Sequence, residues 1–451
     1  MDTILDIIKQ FKMPLIIAGS AIALCIILGS VVPKIQEYNA NKTPIAEIVA
    51  ENDRVYANTE EMQPEDFKIT AIHEDGAKTK LSSEYIELSR TTLNPVGDTT
   101  TVIVSYKEDS SIYCNVDVQI ERTKIMGFEC GYPDTNNVIA VLYSNGELCF
   151  EGSGDTLIAD GNNYAWLKYD NMKNYPIKAI TFEKKVKPRV MDYWFRDIAT
   201  LTYVAPIPDS VQSMKGTFSG CTGLETMADW TKCDALLNIS ECYEKCTGLK
   251  YTVAIPKNVK KATRSFAGCS LLQKTPNMSQ AVSLIQCENT FEQCDKLVSI
   301  TMPPNVTNIN GMFKRCTNLQ VMPSIPISVV KMKEAFSDCT ALKTLSTIPV
   351  NVQEMESCFR NCSFIEGSVT INANPEKMGD AFKNACETTT LDLNGSSLIL
   401  DAFANSCEYN TITVNGQKPI EEITSLAAYQ KYIEKLEKEK EKELQLQQQN
   451  N

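Results

Sequence analysis

The chain has 451 residues, a net charge of −12, 17 Cys and a single His, His73. That length allows roughly two to four domains, and an acidic balance without a basic block speaks against nucleic acid as a partner. With one His there is no Ser-His-Asp or Cys-His arrangement along most of the chain. No Walker loop or Gly-rich dinucleotide loop is present, so neither enzyme chemistry nor a cofactor is expected.

Residues 13–32 read MPLIIAGSAIALCIILGSVV, uncharged and bounded by Lys12 and Lys34. Twenty residues at about 1.5 Å each cover the roughly 30 Å hydrocarbon core, so a transmembrane helix is predicted. The segment reads as an uncleaved anchor or as a cleaved signal peptide. Its length and the poor cleavage site at Val31-Val32-Pro33 favour the anchor. Lys9 and Lys12 favour an inside N-terminus, which places the rest of a single-pass chain outside the cell membrane.

Residues 35–54 are polar and read as a stalk. Residues 55–122 then show the two-residue alternation of half-buried strands: Phe67, Ile69 and Ala71; Val102, Val104 and Tyr106; Cys114, Val116, Val118 and Ile120. His73-Glu74-Asp75-Gly76 is a hairpin signal between them. The run DFKITAIHEDGAKTKL, with YIEL, TVIVSYKED and YCNVDVQI after it, resembles a bacterial Ig-like domain. That resemblance implies an all-β sandwich that spaces other modules from the membrane. Residues 125–190 carry more strands, with Asn145-Gly146 as a second hairpin signal, and are expected to cap a repeat region that begins at 191.

From 191 to 417 one phrase returns about every 23 residues: an aromatic, Cys three later, a large aliphatic three after that. It reads Phe218-Cys221-Leu224, Tyr243-Cys246-Leu249, Phe266-Cys269-Leu272, Phe291-Cys294-Leu297, Phe313-Cys316-Leu319, Phe336-Cys339-Leu342 and Phe359-Cys362-Ile365. Phe382 with Cys386 and Phe403 with Cys407 stretch the first gap, and Phe195 precedes Ile198 instead of Cys. Apolar residues also recur seven and four before the aromatic, and small ones directly before it. Offsets of −7, −4, 0 and +3 fit one face of a helix, so a short helical segment is predicted in each repeat. An extended stretch comes after the aliphatic and often ends at Pro, as at Pro303, Pro326 and Pro349. One strand and one helical turn per repeat describe an α/β repeat solenoid, each coil buried only against its neighbours. The nine slot Cys are expected to be buried thiols, because parallel Cβ vectors suit a disulfide poorly. Cys114, Cys130, Cys149 and Cys233 lie outside the slots and could pair.

The phrase Met332-Lys-Glu-Ala-Phe336-Ser-Asp-Cys339-Thr-Ala-Leu342 resembles the BspA-like leucine-rich-repeat surface proteins of bacteria, over roughly residues 140–415. The resemblance implies surface attachment and adhesion. The loops here carry Ile-Pro and Val where that family has Asp, Ser and Asn. Residues 420–445 form a predicted C-terminal helix with a short apolar seam at Leu426, Tyr429, Ile433 and Leu436. It reads as a cap on the last coil or a weak oligomerisation helix.

The functional expectation is a membrane-anchored surface protein that presents the solenoid to a protein or a surface glycan. The alternative is a structural component of a cell-surface or secretion assembly. The outward positions of two adjacent coils gather Lys250, Tyr251, Val253 and Lys274, a tyrosine anchor among cations of the kind interfaces favour. No metal site is expected, since no Cys pair has zinc-ribbon spacing.

Overall fold

The computed structural model describes residues 43–449, apart from 58–59, 94–95, 160–162, 170–172, 374, 386–390, 396–399, 401–411, 421–422 and 424–425. The apolar run 13–32, Cys386, Phe403 and Cys407 lie outside the described residues. The chain divides into two compact units, Met1–Thr123 and Lys124–Asn451.

In the first unit, β1 (Ile45–Glu51), β3 (Lys68–His73) and β4 (Lys78–Leu81) make one antiparallel sheet. The other holds β2 (Val55–Tyr56), β5 (Ile86–Leu88), β6 (Thr99–Tyr106) and β7 (Tyr113–Ile120), in the order β2-β7-β6-β5. Alternation aims Val102, Val104, Val116 and Val118 from one sheet and Ile48 and Ile69 from the other into a shared core. The β3–β4 turn closes at Gly76, whose φ of 81° suits glycine. His73 is buried there, with Nδ1 2.8 Å from the Thr43 carbonyl and Nε2 2.8 Å from Thr79 Oγ1, which makes it a structural histidine. Residues 45–51, read from sequence as stalk, are instead an edge strand paired with β3. Only Ile48 of that strand is buried, so it left no apolar alternation to read.

The second unit opens with β8 (Lys124–Glu129), β9 (Gly131–Tyr132), β10 (Val138–Tyr143), β11 (Glu147–Gly152) and β12 (Asp155–Thr156). These lead to β13 (Ala179–Phe182) and β14 (Tyr203–Val204). The main sheet runs β14-β13-β11-β10-β8. It is antiparallel from β8 to β11 and parallel from β11 to β14, so a hairpin hands its edge to the parallel stacking of the coils.

The repeats are not helical. In every coil from Phe195 to Phe382, the residues two before and two after the aromatic have positive φ, between 52° and 79°. Ten of these eighteen residues are Gly, Asn or Asp, the types that enter this region most easily. A left-handed residue on either side of the aromatic stops an α-helix, and the main-chain bonds go elsewhere. The N–H groups at offsets −4, −2, 0 and +2 donate to carbonyls of the next coil. Those of Gly216, Phe218 and Gly220 reach Ser240, Cys242 and Glu244 at 2.9, 2.8 and 2.7 Å. The intervening N–H groups turn back three residues, as from Cys221 to Phe218 at 3.0 Å. The inward spacing that suggested a helix comes from two successive turns. The fold is accordingly strands and turns, with α1 (Leu426–Gln449) the one complete α-helix among the described residues. Regular parallel strands return near the end as β15 (Gly367–Ile371), β16 (Leu391–Gly395) and β17 (Ile412–Val414).

The aromatics stack without a break from Phe195 to Phe382, with centroids 5.2–5.9 Å apart. Tyr243 stands in the Phe slot, where its hydroxyl accepts the Ala228 N–H at 2.9 Å. At the N-terminal end Phe150 stacks on Trp194 at 4.8 Å and meets Trp166 and Phe195 edge-on. Trp166 Nε1 donates to the Trp194 carbonyl at 2.7 Å. That carbonyl, directly before the first aromatic, would otherwise face a coil that does not exist.

Two outcomes test this backbone arrangement. Arg315, exposed and at φ 62°, should tolerate Arg315→Gly with no loss of stability and a gain of up to about 1 kcal/mol in urea denaturation. A helix interior would instead lose about 1 kcal/mol. Trp166→Phe should cost about 1–3 kcal/mol by the same measurement, since it leaves a buried carbonyl unpaired.

Candidate binding face

Seven of the slot thiols are described, and all are buried: Cys221, Cys246, Cys269, Cys294, Cys316, Cys339 and Cys362. Each donates to the carbonyl of the preceding coil's aromatic at 3.0–3.2 Å, the first from Cys221 to Phe195 and the last from Cys362 to Phe336. A second row repeats the device one residue before the aromatic. There the Thr217, Ser265 and Thr290 hydroxyls donate to Met191, Ile239 and Ala262 at 2.7–3.0 Å. Burial pushes the Cys221 and Cys339 thiols up to about 12, and Cys246, Cys269, Cys294, Cys316 and Cys362 well above their usual value. Thiolate is the reactive form, so this ladder is structural and inert at neutral pH. Cys114, Cys130 and Cys233, which could have paired, are thiols as well. Among the described residues no three His, Cys, Asp or Glu side chains gather to hold a metal.

The outward face lies eight residues after each aromatic. Thr226 bridges Tyr251, Lys274 bridges Ser299 and Val321 bridges Thr344 in parallel register. Tyr203 of β14 occupies the same slot in the first coil. Tyr251 is 63% exposed, Val321 60% and Tyr203 41%. At about 4.8 Å per coil, the two tyrosines stand roughly 10 Å apart on one row. Tyr251 and Lys274 therefore share this row in neighbouring coils, as the sequence suggested. Lys250 lies one residue off it and is held by Glu225 at 2.7 Å, which neutralises much of its charge. Val253 does not belong to the surface: it is half-buried and packs on the core, like Ala228 and Pro276 in the same slot. The offset count from the sequence already turns Val321 outward, though outside the chosen site, and Tyr203, which the same count reaches, was missed. A second exposed apolar row, nine before the aromatic, holds Val282, Ile327 and Val350. Beside it the Asn305 and Asn351 side chains donate to the Val282 and Ile327 carbonyls at 2.9 Å.

Parallel coils, inward thiols and a row of one-residue bridges define a leucine-rich-repeat solenoid. The model for the BspA type leucine-rich repeat region, built of six copies, matches residues 167–286, 234–343, 260–389 and 330–443. These matches span more than half of the chain, which belongs to that family. No curated protein matches it. It is similar to a leucine-rich repeat protein from Bacteroides ovatus, at 15% identity over 64% of this chain and 98% of that one, with a TM-score of 0.28. A leucine-rich repeat protein from Eubacterium ventriosum is 12% identical over 61% and 79%, TM-score 0.28. A leucine rich cell surface protein from Faecalibacterium prausnitzii is 16% identical over 62% and 98%, TM-score 0.26.

Proposed function

We propose that this is a surface protein, anchored by residues 13–32, whose solenoid binds a partner protein through the row at Tyr203, Tyr251, Lys274 and Val321. The observation that carries the reading is Tyr251, 63% exposed among polar and cationic neighbours where a free chain gains nothing from exposing it. Tyrosine presents a large apolar ring and a polar tip at low entropic cost, and interface hot spots favour it. In this reading the two-sheet unit is an Ig-like spacer between membrane and solenoid. Membrane placement rests on the twenty-residue apolar run. Among the described residues no helix is long and apolar enough to cross a membrane, and the run lies outside them.

Full-length chain should be screened against host-surface and matrix proteins, and the captured partner measured by kinetics. Tyr251→Ala should weaken binding by at least about 1 kcal/mol, mainly through faster dissociation. Lys274→Ala should slow association at low salt more than Lys250→Ala, because Glu225 already neutralises Lys250. Ile327→Asp, on the other row, should leave binding unchanged. A partner indifferent to Tyr251→Ala and sensitive to Ile327→Asp would move the interface.

The anchor has its own test. Protease added to intact cells should remove the solenoid and leave a membrane-bound stub. A mature chain that begins after residue 32 would sink the anchor.

A further inference from the structure

The cap and the first coils form a groove of about 470 Å³, with Tyr132, Asp155, Ile158, Arg189 and Gln212 in its lining. That size falls within the roughly 300–1,000 Å³ of small-ligand sites and suits about two or three residues of a peptide. Separate stretches build it. Strand β12 brings Asp155 beside Tyr132 on β9, the lead-in to the first coil supplies Arg189, and the Gln212 N–H donates to the Arg189 carbonyl at 2.8 Å.

Arg189 is held along one edge only. Asp155 Oδ1 accepts the main-chain N–H groups of Thr156 and Arg189 at 2.8 and 3.0 Å, and Oδ2 accepts Arg189 Nε at 2.5 Å. The arginine side chain is 61% exposed, and the four N–H donors on its two terminal nitrogens have no partner among the described residues. Two other arginines of this chain take two carboxylates each. Arg264 gives Nε and Nη2 to Glu244 Oε1 at 3.1 and 2.8 Å and Nη1 to Glu292 Oε2 at 2.8 Å. Arg54 gives Nη1 to Asp66 at 3.0 Å and Nη2 to Glu60 at 2.8 Å. One guanidinium therefore serves two carboxylates in this protein, and Arg189 has only the first. Asp155 already fixes its position, so a second carboxylate meets a planar fork that is set in advance.

The surroundings narrow what carries that carboxylate. Ile158 is 64% exposed and Tyr132 56%, so the groove holds apolar surface that the free chain leaves wet. Gln212 is an exposed amide, able to accept one N–H and donate to one carbonyl. A carboxylate, an amide N–H and an apolar side chain on one residue are the terminal residue of a peptide. An internal Asp or Glu brings no apolar side chain on the same residue, and a simple carboxylic acid brings no amide. We infer that this groove captures the C-terminal carboxylate of a peptide that ends in an apolar residue. The inference is independent of the Tyr251 row, and either can fail without the other.

The test titrates full-length chain, by ligand-observed NMR and fluorescence polarisation, with hexapeptides ending in Leu, Val or Phe. Each is made with a free and with an amidated C-terminus, and 3-phenylpropionate serves as the simple acid. The free-acid peptides should bind, and amidation should lower affinity at least about tenfold, through loss of the charge-assisted bonds to the fork. Arg189→Gln should have the same effect on the free acids and none on the amides. Its melting temperature should stay close to that of the unaltered chain, because two main-chain N–H groups still hold Asp155. Ile158→Asp should weaken the free acids several-fold, and Arg315→Gln, on a distant coil, should change nothing. The assignment is overturned if amidated peptides bind as well as the acids, if Arg189→Gln leaves binding intact with the fold unchanged, or if 3-phenylpropionate binds as tightly as the peptides.

Discussion

The solenoid depends on one constraint, that each coil sends four main-chain N–H groups to the next and none to its own helix. Left-handed residues at offsets −2 and +2 create this arrangement. They bring the chain back inward every four residues, so the apolar side chains at −4, 0 and +3 meet in the core while alternate peptide groups stand along the stacking direction. Everything else adjusts to it. The aromatic carbonyl receives the thiol of the following coil, which asks for a side chain small enough to fit and able to donate. Cysteine satisfies both demands at little cost in burial. Hydroxyls serve the same purpose one residue before the aromatic, and asparagines do so on the outer edge.

The same constraint explains the N-terminal cap. The first coil has carbonyls aimed at a neighbour that is absent, and an aromatic ring with one bare face. Trp166 supplies a donor for one of those carbonyls, and Phe150 and Trp194 cover the ring. The change from antiparallel to parallel pairing between β11 and β13 places this cluster over the end of the stack.

Much of this was legible in the sequence. The period, the thiol slots and the alternating strands of the first unit needed only counting. The backbone of the repeat was not legible from apolar spacing, because a four-residue return through two turns and a helix of 3.6 residues per turn place the same positions inward. The signal lay in the positions between: Gly216 and Gly220, Asn289, Gly311, Asp338 and Asn361 mark the left-handed residues. Val253 misled for a related reason, since the chain has begun to turn inward by that offset. The groove between cap and first coil left no trace in the sequence, because Tyr132, Asp155, Arg189 and Gln212 meet only once the cap folds onto the first coil.

Because each junction is made by main-chain groups, it is indifferent to most side chains. Any coil can follow any other, provided that none of its four donor positions is proline and that its ring and thiol keep their places. Loss or duplication of one whole coil reproduces the junction it interrupts, whereas a fractional change leaves donors facing donors. The length of the rod can therefore change over generations in whole steps of roughly 4.8 Å. The outer rows can diverge at the same time, since they take no part in holding the coils together.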